Sequence, residues 1–169
     1  EVIREMAEQV IITTPDGTKR PILKDSKLKE LADQWDKEAV AAQIDGMLFD
    51  LSRSIEKNAT ISFISIQSKK GLEILRHSAS HVMAQAVREL FPNVKMTFGP
   101  STENGFYYDF DYDRTFTTQD LETIEKRMSE IVAKDEPFIR KEVSKDEAIK
   151  TFEGMGQTYK VEHLEELPD

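Results

Sequence analysis

The sequence predicts an α+β protein built in two successive parts. Three observations carry that expectation. Two Asp-Gly pairs, Asp16-Gly17 and Asp45-Gly46, each stand between short runs of strand-forming residues, a strong short-range signal of a tight hairpin. From Leu72 to Pro92 apolar residues recur at the 3.6-residue period of a helix, which Pro92 closes. Beyond that helix, strand-like segments alternate with helices that open on capping residues, Thr117 with Asp120 and Ser144 with Glu147.

Composition narrows the function classes. With 33% charged and 38% hydrophobic residues, the 169-residue chain is expected to be globular rather than disordered. No apolar run approaches the ~20 residues of a membrane span and the N-terminus lacks a signal-peptide core, so the expected location is the cytoplasm. Without cysteine there is neither a disulfide framework nor a thiolate ligand or nucleophile. The net charge of -9 argues against a general nucleic-acid binder, and residues 71–169, with 12 basic and 20 acidic side chains, are the more acidic part. That part would not hold an RNA body unaided, though it would accept one RNA end delivered by another domain.

Residues 1–8 are polar and patternless. Val10 to Thr14 and Thr18 to Leu23 form the first expected hairpin around Pro15-Asp16-Gly17. Asp25 or Ser26 caps a short helix through Trp35, with Leu28, Leu31, Ala32 and Trp35 facing inward, Trp35 as core rather than ligand platform. Val40 to Ile44 and Met47 to Leu51 make a second hairpin, and Thr60 to Ile66 a further strand. Two strands, a helix and three strands describe a β-grasp domain resembling ubiquitin over residues 9–67. The polar Gln67 to Gly71 marks the boundary, and a second domain runs from 68 to 169.

On the long helix, Leu72, Leu75, Ala79, Val82, Met83, Ala86 and Leu90 fall on one face. His77 and His81, one turn apart, fall roughly opposite. Such a pair is either solvated surface or a working one, since two imidazoles on a rigid turn can hold a metal, or a water and a hydroxyl, near neutral pKa. A zinc-protease helix needs Glu after the first histidine, where Ser78 stands. Next come a strand over Val94 to Phe98, a turn at Gly99-Pro100, and a strand over Gly105 to Asp111 that splits Phe106, Tyr107, Tyr108 and Phe110 between core and cleft. A helix from Thr117 to about Lys134 presents Leu121, Ile124, Met128, Ile131 and Val132. A strand over Phe138 to Val143, a helix from Ser144 to the region of Gly154 and Gly156, and a strand over Gln157 to Glu162 follow. The pattern is still under way at Asp169, which predicts a fragment.

The turn Pro15-Asp16-Gly17, the run Arg76-His77-Ser78-Ala79-Ser80-His81, Gly99-Pro100, Asn104-Gly105-Phe106-Tyr107-Tyr108-Asp109 and Thr158-Tyr159-Lys160-Val161 together resemble the N-terminal half of a bacterial threonyl-tRNA synthetase, from about Gln9 onward. Histidine pairs of this spacing also occur in the related editing domains of alanyl-tRNA synthetases, and the grasp-like first part favours the threonyl family. The resemblance implies a small ubiquitin-like TGS domain followed by an editing domain that hydrolyses seryl-tRNA(Thr). It implies catalytic roles for His77, His81 and Lys160 and a substrate-binding role for Tyr108, with the acceptor end of tRNA(Thr) and its seryl ester as partners. The family's Asp-x-Cys-x-x-x-His segment, which completes the pocket, has no match in these residues, so the fragment is expected to be inactive alone. His163 falls on no family motif and reads as an ordinary strand or surface residue. ATP, magnesium and zinc are expected in the absent synthetase domain, as is the parent's dimer interface, which leaves this fragment monomeric and without a cofactor.

The chemistry motivates such a site. A pocket discriminates serine from threonine by only ~1–3 kcal/mol, and a second, hydrolytic sieve supplies the rest. In this reading the two histidines orient the terminal ribose hydroxyl and a water, one imidazole accepting a proton as water attacks the ester, while Lys160 favours the developing negative charge or positions the water. From the residues alone Lys160 reads equally as a solvated lysine and Tyr108 as a half-buried strand residue. Zinc at His77 and His81, completed by ligands outside these residues, is the second choice. The competing readings are a non-catalytic module that binds RNA or a partner, and a free-standing trans-editing hydrolase.

Overall fold

A computed structural model describes residues 8–137, 139 and 141–168. The chain divides into two compact units between Leu75 and Arg76.

The first unit holds β1 (Gln9–Thr13), β2 (Lys19–Leu23), α1 (Leu28–Trp35), β3 (Ala39–Ile44), β4 (Met47–Phe49) and β5 (Ala59–Ser65). They form one mixed sheet in the order β2-β1-β5-β3-β4, with β1 and β5 parallel at its centre and the other pairs antiparallel. Strand-strand-helix-strand-strand-strand with the outer chain ends paired at the centre is the β-grasp expected from the sequence. The turns explain the hairpins: Gly17 has φ +82°, and Asp45 (+51°) and Gly46 (+84°) supply the two left-handed positions of a tight two-residue turn. The Asp16 carboxylate accepts hydrogen bonds from the Thr14 hydroxyl and from the Thr18 amide and hydroxyl, which hold its pKa at about 2. Val10, Ile12, Leu28, Leu31, Ala42 and Ile61 are buried together where α1 lies against the sheet. Trp35 packs half-buried on this core, edge-on to Phe63 at 6.2 Å, with the Arg20 guanidinium 4.9 Å over its ring.

The helix start differs from expectation. Lys27, not Asp25 or Ser26, is the N-cap, and it offers no side-chain bond. The amides of Leu28 and Lys29 donate instead to the carbonyls of Arg53 and Leu51, so a distant loop satisfies the helix end. This also ends β4 at Phe49, because the Leu51 carbonyl is committed to α1.

The division between the units falls within α2 (Lys69–Leu90). The second unit continues with β6 (Lys95–Met96), β7 (Phe110–Asp111), α3 (Thr118–Ala133), α4 (Lys145–Gly154) and α5 (Thr158–Glu166). Its core joins Ala84, Ala86 and Val87 of α2 to Val94, Met96 and Ile124, rimmed by half-buried aromatics. Phe116 sits 5.3 Å from Phe91, 5.8 Å from Phe110 and 5.3 Å from Tyr112. The Thr117–Asp120 capping box opens α3 with both reciprocal bonds, and the Ser144 hydroxyl accepts from the Glu147 amide to open α4.

Three expectations fail here, and a fourth falls partly outside the described residues. Among the described residues the strands read over Val94 to Phe98 and Gly105 to Asp111 shrink to two paired residues each; beyond Met96 and Phe110 come the bonds Thr97 N–H to Asp109 and Asp109 N–H to Phe98 and an isolated bridge between Ser101 and Phe106. Gln157 to Glu162 is no strand: after Gln157 the chain enters α5, whose first turn is anchored to β6 from the side. Phe138 and Arg140 of the expected strand Phe138 to Val143 lie outside the described residues, and among the described ones there is no strand pairing; Ile139 is 79% exposed. On α3, Ile124 is buried while Leu121 and Val132 are 59% and 65% exposed, so the inward stripe is narrower than its apolar pattern. Among the described residues, no helix is long and apolar enough to cross a membrane.

Candidate functional site

Periodicity alone sets His77 and His81 one turn apart on α2, and the structure brings their Nε2 atoms to 3.1 Å with the rings edge-on at 4.6 Å between centroids. A contact of that length between two ring nitrogens requires one N–H donor and one acceptor, so the neutral pair holds one Nε2–H and one Nδ1–H tautomer. Between them Ser80 is only 1% exposed, its hydroxyl donating to the His77 carbonyl. The pair therefore borders the packing face rather than standing opposite it, as the apolar pattern suggested; Ala84, three residues after His81, is buried on one side and lines a cleft on the other. Leu72 and Leu75, expected on the packing face, are exposed.

Burial lowers the His81 pKa below its usual 6.5, with the neighbouring His77 and then Lys160 acting in the same direction. The fold thus favours the unprotonated imidazole. Lys160 arrives from the first turn of α5. Its Nζ donates to the Thr97 carbonyl at 2.7 Å and lies 4.8 Å over the Phe98 ring and 5.9 Å from the centre of Tyr108. Burial lowers its pKa as well. Tyr108 is half-buried, stacked on Phe110 at 5.0 Å, and burial raises the pKa of its hydroxyl. Gly99 makes that placement possible, since a Cβ there would run into the Tyr108 ring.

His81, Tyr108 and Lys160 line one open cleft of ≈ 400 Å³, together with Met96, Gln157 and Arg88 among others. His77 joins it through its contact with His81. Gln157 had no signal in the sequence. It is 7% exposed and its Oε1 accepts the Met96 amide at 3.0 Å, a bond between residues 61 apart. Beside it, Tyr159 donates to the Asp111 carboxylate at 2.9 Å. Arg88 was legible in principle, because it lies two turns after His81 on the same line of the helix. His163 is an exposed residue of α5 with its ring 5.1 Å from Phe98, not a strand residue.

A smaller hollow of ≈ 200 Å³ in the first unit is bounded by Ile44, Met47, Phe49 and Arg53 and contains no imidazole. Among the described residues no three His, Cys, Asp or Glu side chains gather at one point. Two imidazoles supply half of a tetrahedral zinc set, so the residues present do not by themselves fit a metal.

No family model matches the chain. It is 45% identical over 162 residues to the threonine-tRNA ligase of Pelobacter propionicus, an alignment that takes in 94% of this chain and 26% of that protein. To the threonine-tRNA ligase of Ralstonia nicotianae it is 43% identical over 164 residues, 95% of the chain and 26% of the relative. The ligase of Ehrlichia chaffeensis is 50% identical over 131 residues, 78% of the chain and 21% of the relative. The chain therefore spans about a quarter of the length of the curated relatives it matches.

Proposed function

We propose that this chain is part of a threonine-tRNA ligase and that its second unit proofreads, hydrolysing seryl-tRNA(Thr). In this reading residues 9–67 form the TGS-like domain and the editing domain starts at 68. Aminoacylation, with its ATP, magnesium and zinc, belongs to parts of the protein beyond the region described. The observation that carries the reading is the pairing of His81 with His77 at 3.1 Å on the same cleft as Tyr108 and Lys160, in a chain similar to such ligases over 94% of its length.

The chemistry follows from these groups. The ester of the terminal ribose enters the cleft, where one imidazole of the pair holds the free ribose hydroxyl and the other a water. As the water oxygen bonds to the carbonyl carbon, His81 takes its proton, and the charge moves to the former carbonyl oxygen. The Lys160 ammonium has one N–H on Thr97 and two left to meet that oxyanion. The carbon–oxygen bond to ribose then breaks, the imidazolium returns its proton to the leaving ribose oxygen, and free serine departs. Tyr108, held against Gly99 and Phe110, lines the cleft, and in this reading its ring limits the room for threonine's extra methyl.

The test is single-turnover hydrolysis of seryl-tRNA(Thr) by the intact natural protein. His81→Ala is expected to slow it by roughly 10²-fold or more with an unchanged circular dichroism spectrum. Hydrolysis at the parental rate would overturn the reading.

A further inference from the structure

Beyond the residues assigned to hydrolysis, the cleft has a second, unexplained end. Arg88 lines it, and among the described residues it makes no ion pair; its one side-chain contact is Nη1 to the Met155 sulfur at 4.0 Å, a weak acceptor. Among the described residues the other arginines of this unit have oxygen partners, Arg76 donating to the Glu103 carbonyl. Arg127 is held by Glu89 and Glu130, and Arg114 by Asp120. In a chain of net charge -9, the residues lining this cleft include Arg88 and Lys160 and no carboxylate. An acidic protein that keeps every acid out of one hollow has made that hollow attractive to anions.

We infer that Arg88 binds a phosphodiester of the RNA end whose ester is hydrolysed at His81, an inference that rests on the deacylase reading. Arg88 lies seven residues after His81, about 10.5 Å along the axis at 1.5 Å per residue, on the same line of the helix and on the same cleft. Lys160 already spends one N–H at the ester end. Arg88 is the cation left for the far end, and its planar fork pairs two phosphate oxygens at once. Phe152 of α4 and Met155, the residue that caps that helix, line the same cleft and offer an apolar face to a base. The terminal nucleotide is thus gripped by its phosphate while its ester is presented to the histidines.

Two measurements test this, and they fail separately. The first uses the 169-residue chain, whose three histidines allow the His77 and His81 imidazole proton resonances to report on the cleft. Titration with the trinucleotide CpCpA is expected to shift them, and Arg88→Gln to weaken that binding by at least about tenfold, the scale of a lost charged hydrogen bond. Arg88→Lys recovers part of it. Binding of adenosine, which carries no phosphate, stays the same in both variants, and the salt dependence of trinucleotide binding becomes shallower by about one ion in Arg88→Gln. Equal weakening for adenosine and trinucleotide, or a trinucleotide that leaves the imidazoles unmoved, overturns the inference. The second measurement uses the intact natural protein: Arg88→Gln raises KM for seryl-tRNA(Thr) at constant kcat and leaves hydrolysis of 3′-O-seryladenosine untouched. If the parent hydrolyses neither ester while trinucleotide binding still depends on Arg88, the deacylase reading fails and the phosphate site stands. If kcat falls with KM on both esters, Arg88 is structural and the inference fails.

Discussion

The two units satisfy their backbones in opposite ways. The first closes its hydrogen bonds in a five-stranded ladder, and its core of Val10, Ile12, Leu28, Leu31, Ala42, Ile55 and Ile61 is fully enclosed. Among the described residues, the second has two paired residues per strand and joins its parts through side chains: Gln157 to Met96, Lys160 to Thr97, Tyr159 to Asp111. A ladder leaves few polar groups over for chemistry. A fold stitched by side chains has to leave a polar seam, and the cleft with His81, Tyr108 and Lys160 lies along it.

That contrast can be broken from either side. The largest effect belongs to the first unit: Leu28→Ala, at a side chain with no exposure, is expected to cost about 2–5 kcal/mol in chemical denaturation. The His77 and His81 resonances should stay in place below that transition. Loss of both signals together would show that the cores are not separate. Next, Gln157→Leu strands the buried Met96 amide and is expected to cost about 1–3 kcal/mol, while also slowing ester hydrolysis because α5 carries Lys160; intact kinetics with lowered stability would make Gln157 a packing residue only. The smallest effect is on titration. Since the fold holds the His81 pKa under 6.5, the unfolded chain binds the proton more readily, and the second unit loses stability as pH falls through 6.5 toward the lowered value. The acidic limb of the proposed hydrolysis should therefore lie below pH 6.5, and Lys160→Met, which removes one cause of the depression, should move the His81 titration upward. An unmoved His81 titration in that variant would separate the lysine from the histidine.

What the sequence made legible follows the same division. The hairpins at Asp16-Gly17 and Asp45-Gly46 could be read because a left-handed turn is a local demand that few residues meet. The capping box at Thr117 and Asp120 was equally local. The start of α1 was misread because its amides are satisfied by Leu51 and Arg53, a partner that no nearby residue announces. Gln157 to Glu162 reads as a strand from the sequence, yet the helix there is anchored through contacts 61 and 63 residues away. Motif residues could be picked out from the resemblance before their secondary structure was right, since His77, His81, Tyr108 and Lys160 were named by type and order. Gln157 could not, because a glutamine that is buried and bonded looks in sequence like any solvated one.

Gly99 contributes no reactive group, yet the Tyr108 ring rests where its side chain would be. The breadth of the hollow is consequently governed from behind its wall, by a position that surveys of charged or nucleophilic residues pass over. Adding one methyl group there would force the Tyr108 ring and the backbone at Tyr107 to give way, so that a change at a residue without functional atoms would reshape the hollow before it touched any imidazole or ammonium.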